Sequence, residues 1–229
     1  MTIAVMQPYL FPYIGYWQLI NKVDCFVIFD DVSFIKKSFI NRNSILLNNK
    51  SYKFTLEVLG ASQNRFINNI EVGNNKSKIL KTIQRAYSKA PYFEEVYPLI
   101  KKIFEYDEKN LSKFIGYSLK MVSNYLQIDT EFVYSSKINK NNNLKGQDKI
   151  IEICKLMGAS HYINAIGGQS LYDKNQFYIE NINLGFLETA ASRYKQFNSE
   201  FINNLSILDI MMFNSKENIS VILEEYQLI

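Results

Sequence analysis

The chain has 229 residues and a mass of 26.8 kDa; 47% of the residues are hydrophobic and 21% are charged, which excludes a disordered or a fibrous protein. Lys and Arg number 26 against 22 Asp and Glu, and we interpret the formal charge of +4 as spread too thinly along the chain to indicate nucleic-acid binding. One histidine and two cysteines exclude a zinc site of several histidines or four cysteines and argue against a disulfide framework.

The N-terminal residues predict the start of a parallel sheet. An apolar run over residues 3–7 ends at Pro8 and Pro12 and indicates a buried strand, which is followed by a helix over about 13–22. A second apolar run over 25–29 predicts a second strand. Because strand, helix and strand follow one another along the chain, we expect the two strands to be parallel.

A β-hairpin is predicted after this unit. Residues 44–47 and 52–56 flank the polar turn Asn48-Asn49-Lys50, whose residues tolerate positive φ. A further strand is predicted over 66–72.

The middle of the chain has the pattern of a helical subregion, from about 75 to 127. Apolar residues recur there with the helical period of three to four. Pro91 and Pro98 are expected to divide it into two or three helices.

The C-terminal part alternates strands and helices again. In order, we predict a strand over 130–134, a surface loop over 138–145, a helix over 150–157 ended by Gly158, a strand over 161–166, a weak strand around Phe186, a helix over 208–213 capped by Ser206, and a helix over 215–226. This alternation predicts a single α/β domain over 1–229: a Rossmann-like parallel sheet core with an inserted β-hairpin and a helical subdomain.

The termini and hydropathy lead us to expect a cytoplasmic protein. The first residues lack the basic and apolar regions of a signal peptide, and polar residues interrupt every apolar run before the roughly 18 to 20 residues that a membrane span needs.

The strongest local motif is the aromatic segment after the first strand, Met6-Gln7-Pro8-Tyr9-Leu10-Phe11-Pro12-Tyr13-Ile14-Gly15-Tyr16-Trp17. Ligands of parallel sheets bind beyond the carboxyl ends of the strands, so these rings and the following helix N-terminus are candidates to hold a planar ring and a phosphate. An aromatic loop packed on the core is the equal alternative. The candidate residues are Gln7, Tyr9, Tyr13, Gly15 and Tyr16.

The order Tyr13-Ile14-Gly15-Tyr16 is similar to the His-x-Gly-His signature of nucleotidylyltransferases with both histidines replaced by tyrosine. The loss of both imidazoles argues against nucleotidyl transfer even where a nucleotide still binds.

Two carboxylates follow the second strand. Asp30 and Asp31 are candidate catalytic residues, as a general base or as ligands of Mg²⁺ or a sugar hydroxyl, although a solvated turn is the alternative. The polar stretch after them offers a diphosphate clamp, or else an ordinary basic edge strand. Its candidate residues are Lys37, Asn41, Arg42 and Asn43.

His161 is the third catalytic candidate, although it starts a strand and is therefore expected at the end away from the crevice. Gly167 and Gly168 follow that strand and are candidates to let backbone amides approach a ligand, or form a plain turn. Cys25 and Cys154 are expected to be buried and unreactive. We predict no metal site, and the residues indicate no particular cofactor.

Several blocks along the whole chain resemble the WbqC-like protein family. They are the aromatic segment from Met6 to Trp17, Phe29-Asp30-Asp31-Val32, Phe34-Ile35-Lys36-Lys37, Ile40-Asn41-Arg42-Asn43, Leu144-Lys145-Gly146-Gln147, His161-Tyr162-Ile163-Asn164, Ile166-Gly167-Gly168, Tyr194-Lys195-Gln196-Phe197 and Leu205-Ser206-Ile207-Leu208-Asp209. Many relatives have histidine where this chain has Met6. The resemblance implies a bacterial protein of surface-polysaccharide loci, notably O-antigen clusters, and adds Tyr194 and Gln196 to the candidate substrate-binding residues.

Two classes of function follow. The first is a transferase that moves an acyl or aminoacyl group onto a nucleotide-linked amino sugar, with nucleotidyl or adenylyl transfer as a related alternative. The second is a non-catalytic subunit that binds a sugar nucleotide. The expected partner is a small-molecule nucleotide sugar, with a second copy of the chain or a partner enzyme as further candidates, and no nucleic acid or transmembrane segment.

Overall fold

A computed structural model describes residues 1–190, 193–197 and 200–229. Its strands are β1 (Thr2–Met6), β2 (Cys25–Ile28), β3 (Arg42–Leu47), β4 (Lys50–Thr55), β5 (Val58–Leu59), β6 (Glu71–Val72), β7 (Glu131–Tyr134), β8 (His161–Ala165), β9 (Asn183–Thr189) and β10 (Tyr226–Leu228). Its α-helices are α1 (Ile14–Lys22), α2 (Lys76–Tyr87), α3 (Phe93–Glu105), α4 (Leu111–Leu126), α5 (Gly146–Leu156), α6 (Lys174–Ile179), α7 (Ile207–Phe213) and α8 (Lys216–Leu223). Short 3₁₀ helices lie at Ile67–Asn69, Ser135–Lys137 and Ile166–Leu171.

A six-stranded, mostly parallel sheet forms the centre of the fold, in the order β10-β9-β8-β1-β2-β7. β1 lies between β2 and β8 and is parallel to both, and only β10 is antiparallel, to β9. The predicted α/β fold with a parallel sheet is therefore confirmed.

The side chains of β1 and β2 alternate between two cores, one on each face of the sheet. Ala4 and Phe26 belong to the larger core, which includes α1 and the helical region, whereas Val5 and Val27 pack against α5 and α6. Both central strands are buried on both faces, which is why they appear in the sequence as unbroken apolar runs.

The predicted hairpin is confirmed. β3 and β4 pair in antiparallel register from Arg42 opposite Thr55 to Leu47 opposite Lys50. Asn48 and Asn49 both have positive φ, 52° and 59°, as the tight turn requires.

The helical subregion consists of α2, α3 and α4, but its breaks do not fall at Pro98. That residue lies inside α3, on its exposed side, and the helix continues because Val96, Ile100 and Ile103 are buried on the opposite side. Pro98 is the sixth residue of α3 and removes the backbone hydrogen bond to the carbonyl of Glu94, a cost that burial of the apolar face outweighs.

Three other expectations need correction. The strand predicted over 66–72 is a 3₁₀ helix followed by the two-residue β6, α6 lies where no element was predicted, and the last helix ends at Leu223. β10 follows, with Tyr226 opposite Thr189 and Leu228 opposite Leu187. Pairing with β9 creates this strand, so its own three residues do not predict it.

Two predicted helix ends are confirmed. The side chain of Ser206 accepts a hydrogen bond from the amide of Leu208 at the start of α7, and Gly158 has φ +66° just after α5. Within the described part of the chain, no helix is both long and apolar enough to cross a membrane.

Candidate functional site

The carboxyl ends of β9, β8, β1, β2 and β7 share one edge of the sheet, where ligands of parallel sheets usually bind. The chain runs from β1 to β2 and β7 on one side and returns to β8 and β9 on the other, so the strand order reverses between β1 and β8. Some of the predicted site residues lie along this edge, whereas His161 lies at the opposite edge and others lie in or near the hairpin.

The aromatic segment after β1 is packed into the core. Tyr16 is 2% exposed; its hydroxyl donates to the carbonyl of Gln7 at 2.8 Å, and its ring stacks on Tyr9 at 5.4 Å. Trp17 is fully buried and donates through Nε1 to the carbonyl of Pro12 at 3.1 Å. These contacts close the loop on itself, and Tyr16 has no free surface for a ligand.

Asn43 holds the same loop from the hairpin. Its Nδ2 donates to the carbonyls of Leu10 and Phe11 at 3.2 and 2.8 Å, and the hydroxyl of Ser206 also donates to Phe11 at 2.7 Å. Phe11 has φ +44°, a backbone conformation that costs energy in a non-glycine residue and persists only where the surroundings enforce it. Asn43 therefore shapes the loop, which accounts for a polar residue buried at 2% exposure.

Gly15 marks a close contact between α1 and β9. A Cβ at this position would lie 2.2 Å from Oγ1 of Thr189 and 2.7 Å from the ring of Tyr13. Thr189 and the ring of Tyr13 thus fill the space where a side chain at position 15 would lie, so only glycine fits there.

A pocket of about 280 Å³ lies at the end of β9, between α1 and α7. Two predicted residues, Tyr13 and Tyr194, line it together with Arg193. The hydroxyl of Tyr194 donates to Oδ2 of Asp209 at 2.7 Å.

Gln196 shares this carboxylate, donating to Oδ2 of Asp209 at 2.6 Å, while Tyr87 donates to Oδ1 at 2.8 Å. Burial raises the pKa of Asp209, although the donors Tyr194, Tyr87 and Gln196 each lower it. Gln196 and Tyr194 thus join a buried network that ties α2 and α7 to the loop between β9 and α7.

The polar stretch before the hairpin does not form one clamp. Asn41 is buried and donates to the carbonyl of Leu56 at 2.7 Å, and Arg42 donates through Nε to the carbonyl of Ser38 at 3.2 Å. Lys37 is exposed, with φ +64°.

Asp30 lies at the carboxyl end of β2 and is fixed by the loop after β7. Its Oδ1 accepts from the amide of Ser136 at 2.9 Å and its Oδ2 from the hydroxyl of the same residue at 2.8 Å. Each carboxylate oxygen has a second lone pair, so Asp30 retains acceptor capacity.

Asp31 faces a different set of partners. Its Oδ2 lies 2.7 Å from Nζ of Lys140 and 3.5 Å from Nζ of Lys149, and both lysines are buried, at 8% and 7% exposure. Burial raises the pKa of Asp31, but the contact with Lys140 and the charges of Lys140 and Lys149 lower it more, so the pKa lies below its ordinary value.

The same cluster contains two polar atoms without a hydrogen bond. Oδ1 of Asp31 and Oγ of Ser135 are both buried, and neither meets a partner with acceptable geometry among the described residues. Lys140 also donates to the carbonyl of Ser135. Asp31 therefore fastens the loop after β7 to α5, on the side of the sheet opposite the cleft described next.

A cleft of about 910 Å³ lies beside β7, between the sheet and α4. Asp30 and Ser136 line its end at the carboxyl edge, and Asp129 lines it at the amino end of β7. None of the described pockets contains both Asp30 and the aromatic segment.

Three lysines of the cleft were not among the predicted residues: Lys113, Lys120 and Lys137. Lys113 and Lys120 are seven residues apart and exposed on α4, so they share a helix face. That spacing was visible in the sequence, but only the fold shows that this face looks towards Asp30.

Gly116 allows α4 to approach the sheet closely. A Cβ there would lie 2.1 Å from the hydroxyl oxygen of Tyr134. Burial, together with the charges of Asp30, Tyr106 and Glu108, raises the pKa of Tyr134 to about 12, so this hydroxyl keeps its proton at neutral pH.

His161 lies apart from both aspartates, at the amino end of β8, where it is exposed. Its Nδ1 is 3.0 Å from Oγ of Ser160 and its Nε2 is 3.4 Å from Nδ2 of Asn183. Gly167 and Gly168 lie in the 3₁₀ helix after β8, at the carboxyl edge, and a Cβ on Gly167 would meet nothing within 4 Å.

Cys25 and Cys154 are free and buried, as predicted. Burial raises the pKa of the Cys25 thiol to about 11 and that of Cys154 to about 12, which keeps both protonated. Among the described residues, no three His, Cys, Asp or Glu side chains come together as metal ligands would.

The model of the WbqC-like protein family matches residues 7–221, nearly the whole chain. The chain belongs to the WbqC-like protein family. It is 26% identical over 214 residues to "Uncharacterized protein Rv1507c" of Mycobacterium tuberculosis, an alignment that covers 91% of this chain and 92% of the relative. No solved structure matches it significantly. Membership of the WbqC-like family agrees with the sequence blocks that suggested it.

Proposed function

We propose that this WbqC-like protein is a transferase that moves an acyl or aminoacyl group onto a nucleotide-linked amino sugar bound in the cleft between β7 and α4. One observation carries the proposal: Asp30 is fixed at the carboxyl end of a parallel strand and lines a cleft of about 910 Å³ that also contains three lysines. A cleft of this size can enclose a nucleotide sugar.

The sheet supports a nucleotide ligand. Numbered along the chain, its six strands lie in the order 3-2-1-4-5-6, which is the order of Rossmann-like dinucleotide-binding sheets, although the last strand here is antiparallel. The shared strand order indicates a similar fold, whereas the reaction depends on the residues of the site.

The lining of the cleft suits the parts of such a ligand. Lys113, Lys120 and Lys137 offer positive charge to a diphosphate. Four carboxylates line the same cleft, those of Asp30, Glu108, Asp129 and Glu131. Tyr106 and Tyr117 stack on each other at 4.0 Å on the cleft wall and present a flat apolar surface to a base.

Asp30 would act on the amine of the sugar. As the amine nitrogen bonds to the acyl carbon, the bond from that carbon to the donor's sulfur or oxygen breaks, and Asp30 takes the proton that the nitrogen loses. The proton then passes to the departing thiol or hydroxyl, which restores the carboxylate. Ser136 keeps the carboxylate in place during both transfers.

From the family resemblance, we propose that this reaction serves the synthesis of bacterial surface polysaccharides, notably O-antigen, in the cytoplasm. Nucleotidyl transfer is less well supported, because Tyr16 is buried against the carbonyl of Gln7 and Thr189 occupies the space before Gly15. The binding and turnover assays below distinguish an enzyme from a non-catalytic binding subunit.

The test combines thermal-shift binding of UDP- and dTDP-linked amino sugars with turnover assays that add acyl-thioester or aminoacyl donors. We expect Asp30→Asn to lower turnover by about 10² to 10⁴-fold while nucleotide-sugar binding persists. Lys120→Gln should weaken binding. Asp148→Asn is the control, since it removes an exposed carboxylate that lies on α5, outside the cleft, and should change neither quantity.

Each part of the proposal has its own opposing result. Binding without turnover for any donor would support a binding subunit instead. Absence of a shift with every nucleotide sugar would contradict both functions, and full turnover in Asp30→Asn would remove this residue from the chemistry.

A further inference from the structure

The net charge of +4 conceals an uneven distribution, so the even spread expected from composition is incorrect. Residues 32–93, here called the basic segment, contain eleven Lys and Arg but only Glu57 and Glu71, which gives this segment a charge of +9. The rest of the chain therefore has a charge of −5.

Most of these cations are free. None of the eleven forms an ion pair with a described residue, and eight are exposed without a side-chain hydrogen bond in the described structure. These eight are Lys36, Lys37, Lys50, Lys53, Lys78, Lys81, Arg85 and Lys89. Unpaired cations on one segment create a local positive potential that attracts anions.

Large apolar side chains are exposed on the same segment. Ile35, Phe39 and Phe66 are 49%, 52% and 48% exposed, and Tyr52 and Leu59 are both 45% exposed. Ile35 precedes Lys36, Tyr52 precedes Lys53, and Phe66 follows Arg65 in the sequence.

The loops that carry these side chains are joined. Residues 33–40 and 59–66, here called the apolar loops, meet in a bridge between Ser33 and Phe66, and the amide of Phe34 donates to the carbonyl of Arg65 at 2.9 Å. The two loops are therefore joined, and their apolar side chains extend from neighbouring backbones.

The basic helix α2 adjoins this unit through its N-terminus. Asn75 donates to the carbonyl of Thr55 at 2.9 Å and accepts from the amide of Glu57 at 2.9 Å, just before the second apolar loop. Lys78, Lys81 and Arg85 lie further along α2.

Those three cations line a shallow groove of about 500 Å³ between α2 and the hairpin, together with Tyr52. They lie at positions i, i+3 and i+7 and therefore share one face of the helix.

We propose that the basic segment docks on an anionic lipid surface, with the apolar loops entering the headgroup region and the cations of α2 and the hairpin facing lipid phosphates. Exposed apolar residues beside unpaired lysines are the combination that holds a protein at a lipid interface. Nucleic acid would use the cations but has no need of the exposed aliphatic side chains Ile35 and Leu59. This surface is independent of the proposed reaction.

The test is flotation of the full-length protein with vesicles of phosphatidylcholine alone or with one third phosphatidylglycerol. We expect binding only to the anionic vesicles and loss of binding as salt is raised. Lys78→Gln/Lys81→Gln should lower vesicle affinity by about 30-fold at low salt, since each lysine near an anionic surface contributes about 1 kcal/mol. Lys22→Gln/Lys102→Gln removes two exposed lysines elsewhere and should change little.

A second pair of variants tests the contribution of the apolar side chains to vesicle binding. Ile35→Ser/Phe39→Ser should lower vesicle affinity by at least tenfold, whereas Leu171→Ser/Ile179→Ser should not, although those residues are 69% and 68% exposed. Circular dichroism and thermal unfolding confirm that each variant is folded.

Three results would overturn the proposal: no binding to anionic vesicles, unchanged binding in Ile35→Ser/Phe39→Ser, or equal losses in the matched control variants. Binding of a single-stranded RNA oligonucleotide without vesicle binding would instead assign the basic segment to nucleic acid.

Discussion

Two segments leave neighbouring strands at the same edge of the sheet, and their polar groups differ in one respect. After β1, the carbonyls of Gln7, Leu10, Phe11 and Pro12 all accept hydrogen bonds from side chains of the chain itself. After β2 and β7, Asp30 borders an open cleft, and atoms of Asp31 and Ser135 have no hydrogen bond in the described structure.

The difference teaches that conspicuous residues can serve to satisfy and bury the backbone of their own loop. The aromatic segment needs its tyrosines, tryptophan and Asn43 to bury an irregular loop whose backbone would otherwise lack partners. The cleft is lined by common residues; its Asp30 is 2% exposed and held by Ser136, and each of its carboxylate oxygens keeps a second lone pair for a ligand.

The largest stability change should come from the aspartate on the second segment. Asp31→Ala leaves Lys140 and Lys149 buried without a carboxylate, and we expect a loss of about 3–5 kcal/mol in the free energy of unfolding. Urea unfolding followed by the fluorescence of the single, buried Trp17 measures it. Asp30→Asn should lose less than about 1 kcal/mol, since the amide retains contact with Ser136; equal losses would remove the distinction between the two aspartates.

A smaller loss is expected on the first segment. Asn43→Ala removes both hydrogen bonds to Leu10 and Phe11, and should cost about 2–3 kcal/mol. Asn139→Ala, in an exposed loop, serves as the control and should stay within about 0.5 kcal/mol. If Asn43→Ala kept full stability but lost ligand binding, the aromatic segment would be a binding site after all.

Substitutions at two glycines distinguish a glycine needed for packing from one that could let a ligand approach the backbone. Gly116→Ala places a methyl group against Tyr134 and should cost about 1–3 kcal/mol, because the Tyr134 ring or α4 must shift. Gly167→Ala meets no neighbour and should leave stability unchanged within about 0.5 kcal/mol. A fall in nucleotide-sugar affinity in Gly167→Ala alone would place ligand at the end of β8 and widen the site beyond the cleft.

The smallest effects are pH dependences of opposite sign. The lowered pKa of Asp31 means that its ionised form stabilises the fold above the unfolded-state value near about 3.9, and this contribution is lost as pH falls through the folded pKa. The raised pKa of Asp209 means that its contribution is present below that value and is lost as pH rises through the folded pKa.

Unfolding free energies of the wild type, Asp31→Asn and Asp209→Asn between pH 2.5 and 7 check these signs. The advantage of the wild type over Asp31→Asn should shrink towards acid pH, and its advantage over Asp209→Asn should shrink towards neutral pH. Parallel curves would contradict both assignments.

Much of the fold follows from local patterns. The apolar runs of β1 and β2, the Asn48-Asn49 turn, the helical period of α2 to α4 and the Ser206 cap are each properties of a few neighbouring residues. β10 and the 3₁₀ helix over Ile67–Asn69 could not be predicted in this way, because β10 depends on pairing with β9 and the 3₁₀ helix on the backbone of Val32.

The sequence predicted where the candidate site lies, at the carboxyl ends of the strands, but not all of the residues that line it. Asp30 was identified because it follows a strand. Lys113 and Lys120 were not, because the sequence of α4 does not show which part of the fold its polar face lies against. Asp30 and Asp31 also appeared as a pair, and adjacent side chains after a strand point to opposite faces of the sheet.

The sequence by itself determined the α/β class, the β-hairpin and the family, because these depend on local periodicity, turn residues and shared motifs. Only the tertiary structure decided that Tyr16 and Trp17 of the aromatic segment are internal, that Asp30 and Asp31 contact different neighbours, and that α4 carries lysines to the cleft. These outcomes depend on contacts between residues far apart in the chain, such as Asp30 with Ser136 and Asn43 with Phe11, which no short stretch of sequence contains.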